Sequence, residues 1–197
     1  MPRQIIARSA GLLSVVCLMV GLAVAPLRAE QLTGLRPAEP QPTTLSPGLA
    51  VEYSYGMVNH LNELKNKKFE PGPPLTNLEY RWGPGNVLTS KAREGVAAII
   101  TGFIHFEKAG VYGFAVTSND GVRVEIGGQL VHEDPGVHGD TTSDRIDVKI
   151  DRPGWYPLRV AYFQKKGTAS LVLAWIGPGE TGKLTPVPAK AFGYTKK

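Results

Sequence analysis

Beyond residue 100, apolar and polar residues alternate with a period of two. In 111–118, Tyr112, Phe114 and Val116 fall on one face. Val122, Val124 and Ile126 share a face, with Arg123 and Glu125 opposite. Ile146, Val148 and Ile150 alternate with Arg145, Asp147 and Lys149, and Tyr156, Leu158, Val160 and Tyr162 line one side of 156–162. Successive strand residues point to opposite faces, so these runs predict half-buried strands. Leu171 to Ile176 is apolar on both faces and predicts a strand covered on both sides. Turn residues separate the runs at Lys108-Ala109-Gly110, Gly127-Gly128, Arg152-Pro153-Gly154 and Lys165-Lys166-Gly167. Short strands at regular spacing predict an all-β fold, an antiparallel β-sandwich or barrel.

Three segments break this rhythm. Val58, Leu61 and Leu64 recur at i, i+3 and predict one short helix over 58–66. Residues 30–47 contain Pro37, Pro40, Pro42 and Pro47 and few apolar residues, which predicts an extended, Pro-rich linker leading to a domain over 48–194. Ser118-Asn119-Asp120-Gly121 lies between two alternating runs, and Asn, Asp and Gly suit a tight hairpin with positive φ. The same corner sets an amide beside a carboxylate, so it reads either as a plain turn or as half of a calcium site.

The first 29 residues stand apart. Arg3 and Arg8 precede an uncharged stretch from Ser9 to Leu27 that ends near Ala29, the pattern of a secretory signal peptide. Removing it leaves 197 − 29 = 168 residues, enough for one domain with its own core. Cys17, the only cysteine, falls in the signal, so the mature chain has no disulfide and no cysteine metal site. Arg3, Arg8 and Arg28 leave with it, so 22 − 3 = 19 basic residues face 17 acidic ones. A charge of +2 argues against a nucleic-acid partner.

No nucleophile elbow, phosphate loop or zinc-protease pattern is present. His132 and His138 flank Glu133, Asp134 and Asp140, a set that reads as a solvated loop before it reads as a zinc site. A glycosidase needs two opposed carboxylates. Glu125 and Glu133 are the nominees, and Glu125 alternates outward without an evident partner. Trp82, Trp155 and Trp175 offer ring faces suited to sugar stacking, with core packing as the alternative for each. Trp155 follows a Pro-Gly turn and is the one expected at a ligand.

In order and spacing, several short motifs resemble the PA-14 domain, the protective-antigen-type β-barrel domain. They are Gly48-Leu49-Ala50-Val51-Glu52-Tyr53, Ala109-Gly110-Val111-Tyr112-Gly113-Phe114, Ser118-Asn119-Asp120-Gly121-Val122-Arg123-Val124, Pro153-Gly154-Trp155-Tyr156-Pro157-Leu158 and Leu171-Val172-Leu173-Ala174-Trp175. The resemblance implies a compact β-sandwich of secreted and surface proteins. In the family's fungal flocculin branch it implies a calcium-dependent lectin, in which two adjacent aspartates and an asparagine on a second loop hold the ion. By motif the pair falls on Asn119 and Asp120, and the asparagine position on Gln164. Asn119 removes one negative charge, Gln164 is one methylene longer, and Lys165 and Lys166 add two cations to the loop, so calcium is expected to assist weakly at most.

The expected function is that of an exported, non-catalytic binding module for carbohydrate or a cell-surface glycan. Asn119, Asp120, Gln164 and Trp155 are its expected ligand residues, and Asn119, Asp120 and Gln164 its expected metal ligands. No cofactor is required, and calcium is optional. No membrane span is expected after signal cleavage. The alternative is a protein-interaction or assembly module of the cell envelope, with an envelope protein as partner and no glycan site.

Overall fold

The period-two runs form strands in a computed structural model that describes residues 31–81 and 85–196. The signal pattern at 1–29 and Trp82 lie outside the described residues. Strands β1 (Ser46–Pro47) and β2 (Leu49–Tyr55) precede a 3-10 turn at Leu61–Asn66, then β3 (Glu70–Leu75), β4 (Glu79–Arg81) and β5 (Val96–Phe106). Next come β6 (Gly110–Asn119), β7 (Val122–Ile126), β8 (Gln129–Asp134), β9 (Thr141–Thr142) and β10 (Ile146–Ile150). The chain continues through β11 (Gly154–Gln164), β12 (Ser170–Ile176), β13 (Thr185–Pro186), a second 3-10 turn at Ala189–Ala191, and β14 (Phe192–Tyr194).

These strands make two antiparallel sheets stacked as a sandwich. In the larger, β5 and β11 form the centre, with β7 and β8 on one side and β2, β3, β14 and β1 on the other. In the smaller, β6 and β12 form the centre, flanked by β9 and β10 and by β4 and β13. The inward faces interleave Ile100, Ile104 and Phe106 with Phe114, Val116, Tyr156, Val160, Tyr162, Leu171 and Leu173, all buried. Within β12, Ala174 and Trp175 are only half-buried, so the strand is covered on both sides along part of its length.

Local chemistry explains the junctions. Gly127 and Gly128 have φ of 57° and 79°, and Ile126 pairs with Gln129 across them. A two-residue hairpin of this hand needs positive φ at both positions, which glycine supplies without steric cost. The i, i+3 spacing of Val58, Leu61 and Leu64 matches the three residues per turn of a 3-10 helix. All three are buried against Ala97, Ala161 and Phe163 on the outer face of the larger sheet.

Two expectations are corrected. The corner at 118–121 is not a hairpin, because β6 belongs to the smaller sheet and β7 to the larger. It carries the chain between sheets, none of its residues has positive φ, and the Asn119–Asp120 peptide bond is cis. Alternation marks the two runs as strands but does not say which strand each one pairs with. The segment before residue 48 also packs more than its composition suggests. Leu32 bridges to β10, with its N–H donating to Asp147 O at 2.8 Å, and Leu35 is buried. The Ala38 N–H donates to Trp155 O, and Gln41 Oε1 accepts from Trp155 N. Two leucines and a set of main-chain hydrogen bonds replace the apolar run that the segment lacks.

Candidate functional site

The corner ends β6 and docks on the last residues of β11. The Asp120 N–H donates to Phe163 O at 3.1 Å, and the Phe163 N–H donates back to Gly121 O at 3.0 Å. A Cβ on Gly121 would stand 2.4 Å from Phe163 Cε1, so glycine is required here by close approach. Asn119, Asp120 and Gln164 are 4%, 3% and 0% exposed, which is unusual for polar side chains beside loops.

Asp120 and Asn119 have partners that account for their burial. Asp120 Oδ1 accepts from the His138 N–H at 3.2 Å, and Oδ2 from the Lys165 N–H at 2.7 Å. Asn119 Nδ2 donates to Asp140 Oδ1 at 3.0 Å and to Thr168 Oγ1 at 2.8 Å. Ser170 Oγ donates to the same Asp140 oxygen at 3.1 Å. The Tyr162 hydroxyl donates to Asn119 O at 2.7 Å. Burial first, and then nearby acidic groups including Asp120 and Asp140, hold the Tyr162 phenol well above its usual range.

Gln164 differs from the other two. Its Nε2 makes two long bonds, 3.3 Å to Gly167 O and 3.4 Å to Thr168 O, while its buried Oε1 has no hydrogen-bond partner among the described residues. A buried acceptor without a donor is costly.

Five loops meet around these residues. The Gly56 N–H donates to Gly95 O, the Gly95 N–H to Lys165 O, and the Gly167 N–H to Glu94 Oε1. Asp120 ties the 163–168 loop to His138, and the Leu61 N–H donates to Pro135 O. The ties close a circuit through segments 56–61, 91–95, 163–168, 119–121 and 135–140. The result is a tied tip at one end of the sandwich, continuous with the ladder ends at Gln164 and Asn119.

The sequence-expected residues divide accordingly. Asn119, Asp120 and Gln164 come together, with Asn119 and Gln164 sharing Thr168. Trp155 does not join them. It sits at the start of β11 and Gln164 at its end, so nine strand steps, about 30 Å, separate them. There Trp155 packs on the His105 ring at 4.8 Å. Trp175 lies at that far end too, in a cluster with Phe106 and Tyr112.

Glu133 is bound by Arg123 at 2.7 Å, and Glu125 faces Arg159 at 3.6 Å, so each carboxylate has a cation of its own. His138 Nδ1 lies 2.7 Å from Gly139 O and its Nε2 lies 3.3 Å from Asp134 Oδ2. A carbonyl only accepts, so Nδ1 carries a hydrogen. No group of three His, Cys, Asp or Glu side chains is arranged to hold a metal among the described residues. The three expected residues offer one carboxylate and two amides, hard oxygen ligands of the kind calcium accepts, and Asp140 adds a second carboxylate beside Asn119.

Asp140, Tyr162, Thr168 and Ser170 were not among the expected residues. Strand parity was the usable signal for Tyr162 and Gln164: with Tyr156, Leu158 and Val160 inward, both must follow.

The chain is thus an antiparallel sandwich with polar side chains gathered where the end of β11 meets the inter-sheet corner. The chain belongs to the PA14 domain family, whose sequence profile matches residues 79–187. Among solved structures it is similar to the PA14 domain of the MpAFP antifreeze protein, at 19% identity and a TM-score of 0.63 over 79% of this chain and 95% of that one. It is similar to the PA14 sugar-binding domain of an RTX adhesin, at 18% identity and a TM-score of 0.58 over 76% and 99%. It also matches the epithelial adhesin 6 A domain of Candida glabrata, solved with Galβ1-3GlcNAc, at 13% identity and a TM-score of 0.63 over 82% and 94%. No curated protein sequence matches the chain. No helix among the described residues is long and apolar enough to cross a membrane.

Proposed function

We propose that the chain is an exported, non-catalytic binding module that holds carbohydrate, as a cell-surface glycan, at the tip formed by the 119–121 corner and the 163–168 loop. One observation carries the reading. Three polar side chains from two distant segments are buried together at a loop-built tip, and one of them keeps an unpartnered acceptor. Amide and carboxylate groups match sugar hydroxyls, which donate and accept at once. Of the similar solved domains, one is a sugar-binding domain and another was solved with Galβ1-3GlcNAc, which supports the same reading. Export rests on the 1–29 pattern.

Calcium is a weak aid in this proposal. Asp120, Asn119 and Gln164 would hold it, and the ion would supply further coordination to sugar hydroxyls. One carboxylate among these three ligands and the neighbouring Lys165 and Lys166 keep its affinity low. Trp155 is too distant to share this ligand.

The test uses Gln164→Leu, because Gln164 Oε1 makes no protein bond, its Nε2 makes only two long ones, and leucine is of similar size. Thermal unfolding is followed in EDTA and in a calcium series, alongside retention on immobilised galactosides. With a dissociation constant near 1 mM, 10 mM calcium adds about 1.4 kcal/mol, or roughly 3–5 °C. Gln164→Leu is expected to remove that shift and the retention while keeping a cooperative transition. Unchanged retention in this variant would sink the tip as the site.

A second reading, a protein-binding module of the envelope, has one observation in its favour. An open groove of about 880 Å³ on the outer face of the larger sheet is lined by Phe103, Pro157, Pro71, Pro74 and Tyr194. Capture of an envelope protein that survives Gln164→Leu but not Phe103→Ser would favour it.

A further inference from the structure

The cations of the tip name the class of sugar. Lys91, Arg93, Lys165 and Lys166 stand on two loops joined by the Gly95 N–H to Lys165 O bond and by Glu94 Oε1, which accepts from the Gly167 N–H. Lys165 is half-buried and the other three are exposed. None of the four forms an ion pair among the described residues, and Lys91 instead places Nζ 4.9 Å over the Tyr55 ring. Among the described residues Arg123, Arg145, Lys149, Arg159 and Lys190 each face a carboxylate, whereas Lys108 and Lys183 do not, so what marks the tip is four unpaired cations on two loops that are bonded together. The one carboxylate on these two loops, Glu94, is already engaged. Asp120 is buried and holds two main-chain N–H groups, so it neutralises little at the surface. Across the tip the exposed Asp140 directs its Oδ1 to Asn119 and Ser170.

We infer that the ligand is an anionic polysaccharide, one bearing carboxylate or sulfate groups, with its charge turned toward 91–93 and 165–166. The inference rests on the proposed glycan site and adds the ligand's charge. Unpaired cations beside a site attract opposite charge and release it as salt rises.

The test measures retention of the full-length protein on polygalacturonate and neutral galactan, and on dextran sulfate and neutral dextran, from 50 to 500 mM NaCl. Retention is expected on at least one charged member, with loss at high salt. The two pairs distinguish a carboxylate ligand from a sulfate ligand. The Arg93→Gln, Lys165→Gln, Lys166→Gln triple variant is expected to lose roughly tenfold in affinity. A far-side control, Lys108→Gln with Lys183→Gln and Lys190→Gln, makes the same charge change and is expected to bind unaltered.

Retention on neutral galactan alone overturns the anionic ligand and leaves the glycan site standing. No retention on any polysaccharide removes both. Equal loss in the control overturns the patch, as does binding to phosphatidylglycerol vesicles in place of every polysaccharide.

Discussion

Removing the Asp120 carboxylate should unfasten the tip. Each oxygen accepts one main-chain N–H, from His138 at 3.2 Å and from Lys165 at 2.7 Å, with the side chain 3% exposed. A hydrogen bond to a charged group contributes about 1.5–3 kcal/mol. Asp120→Ala removes two of them and leaves both N–H groups without their acceptor. The expected loss is about 3–5 kcal/mol, a large part of the roughly 5–15 kcal/mol that holds a domain folded. Asp120→Asn keeps the shape and one acceptor but turns an NH2 toward the other donor, so it should fall between Asp120→Ala and the parent. Urea unfolding measures the ordering, with the slope unchanged if the transition stays two-state. Amide exchange supplies a local reading, since the His138 and Lys165 N–H groups should lose protection before the strands do. A loss below about 1 kcal/mol in Asp120→Ala, with both amides still protected, would refute the clamp. The prediction also bears on binding assays: lost retention in Asp120→Ala would not separate ligand contact from collapse of the tip, whereas Gln164→Leu does.

Two further outcomes follow from the same region. Gly121→Ala places a methyl 2.4 Å from the Phe163 ring and should cost about 1–3 kcal/mol in urea unfolding, while an unchanged midpoint would mean that the ring yields freely. Tyr162→Phe leaves Asn119 O without its donor and should cost about 1–3 kcal/mol at neutral pH. Because the folded phenol titrates well above 10, the unfolded chain loses this proton first as pH rises. Stability is therefore full below about pH 10 and falls above it, by about 1.4 kcal/mol per pH unit from this group. Tyr162→Phe should make the alkaline loss shallower, and an equally steep loss would contradict the assignment.

Much of the sandwich was legible in the chain because strands announce themselves locally. Alternation located β6, β7, β10 and β11, and Gly127-Gly128 marked the one hairpin whose turn chemistry is fully local. Partnership between strands is not local. The 118–121 corner has a hairpin's composition yet crosses between sheets, and only the distant pairing of β6 with β12 and of β7 with β11 decides it. The candidate site divides along the same line. Asn119, Asp120 and Gln164 were found, but Trp155 was grouped with them because nothing in its neighbourhood reveals that a strand of eleven residues separates it from the tip. Asp140, Thr168 and Ser170 were missed because they matter only through contacts across 21, 49 and 30 residues of chain.

The Asp120 clamp grips main-chain N–H groups and takes no notice of the side chains attached to them. Every residue but proline brings an N–H to position 138 or 165. Substitutions there can exchange lysine for an aromatic, acidic or small residue without surrendering the loop's position. The surface shown there can thus change by single replacements on an unchanged frame, and proline at 138 or 165 is the replacement that this frame forbids.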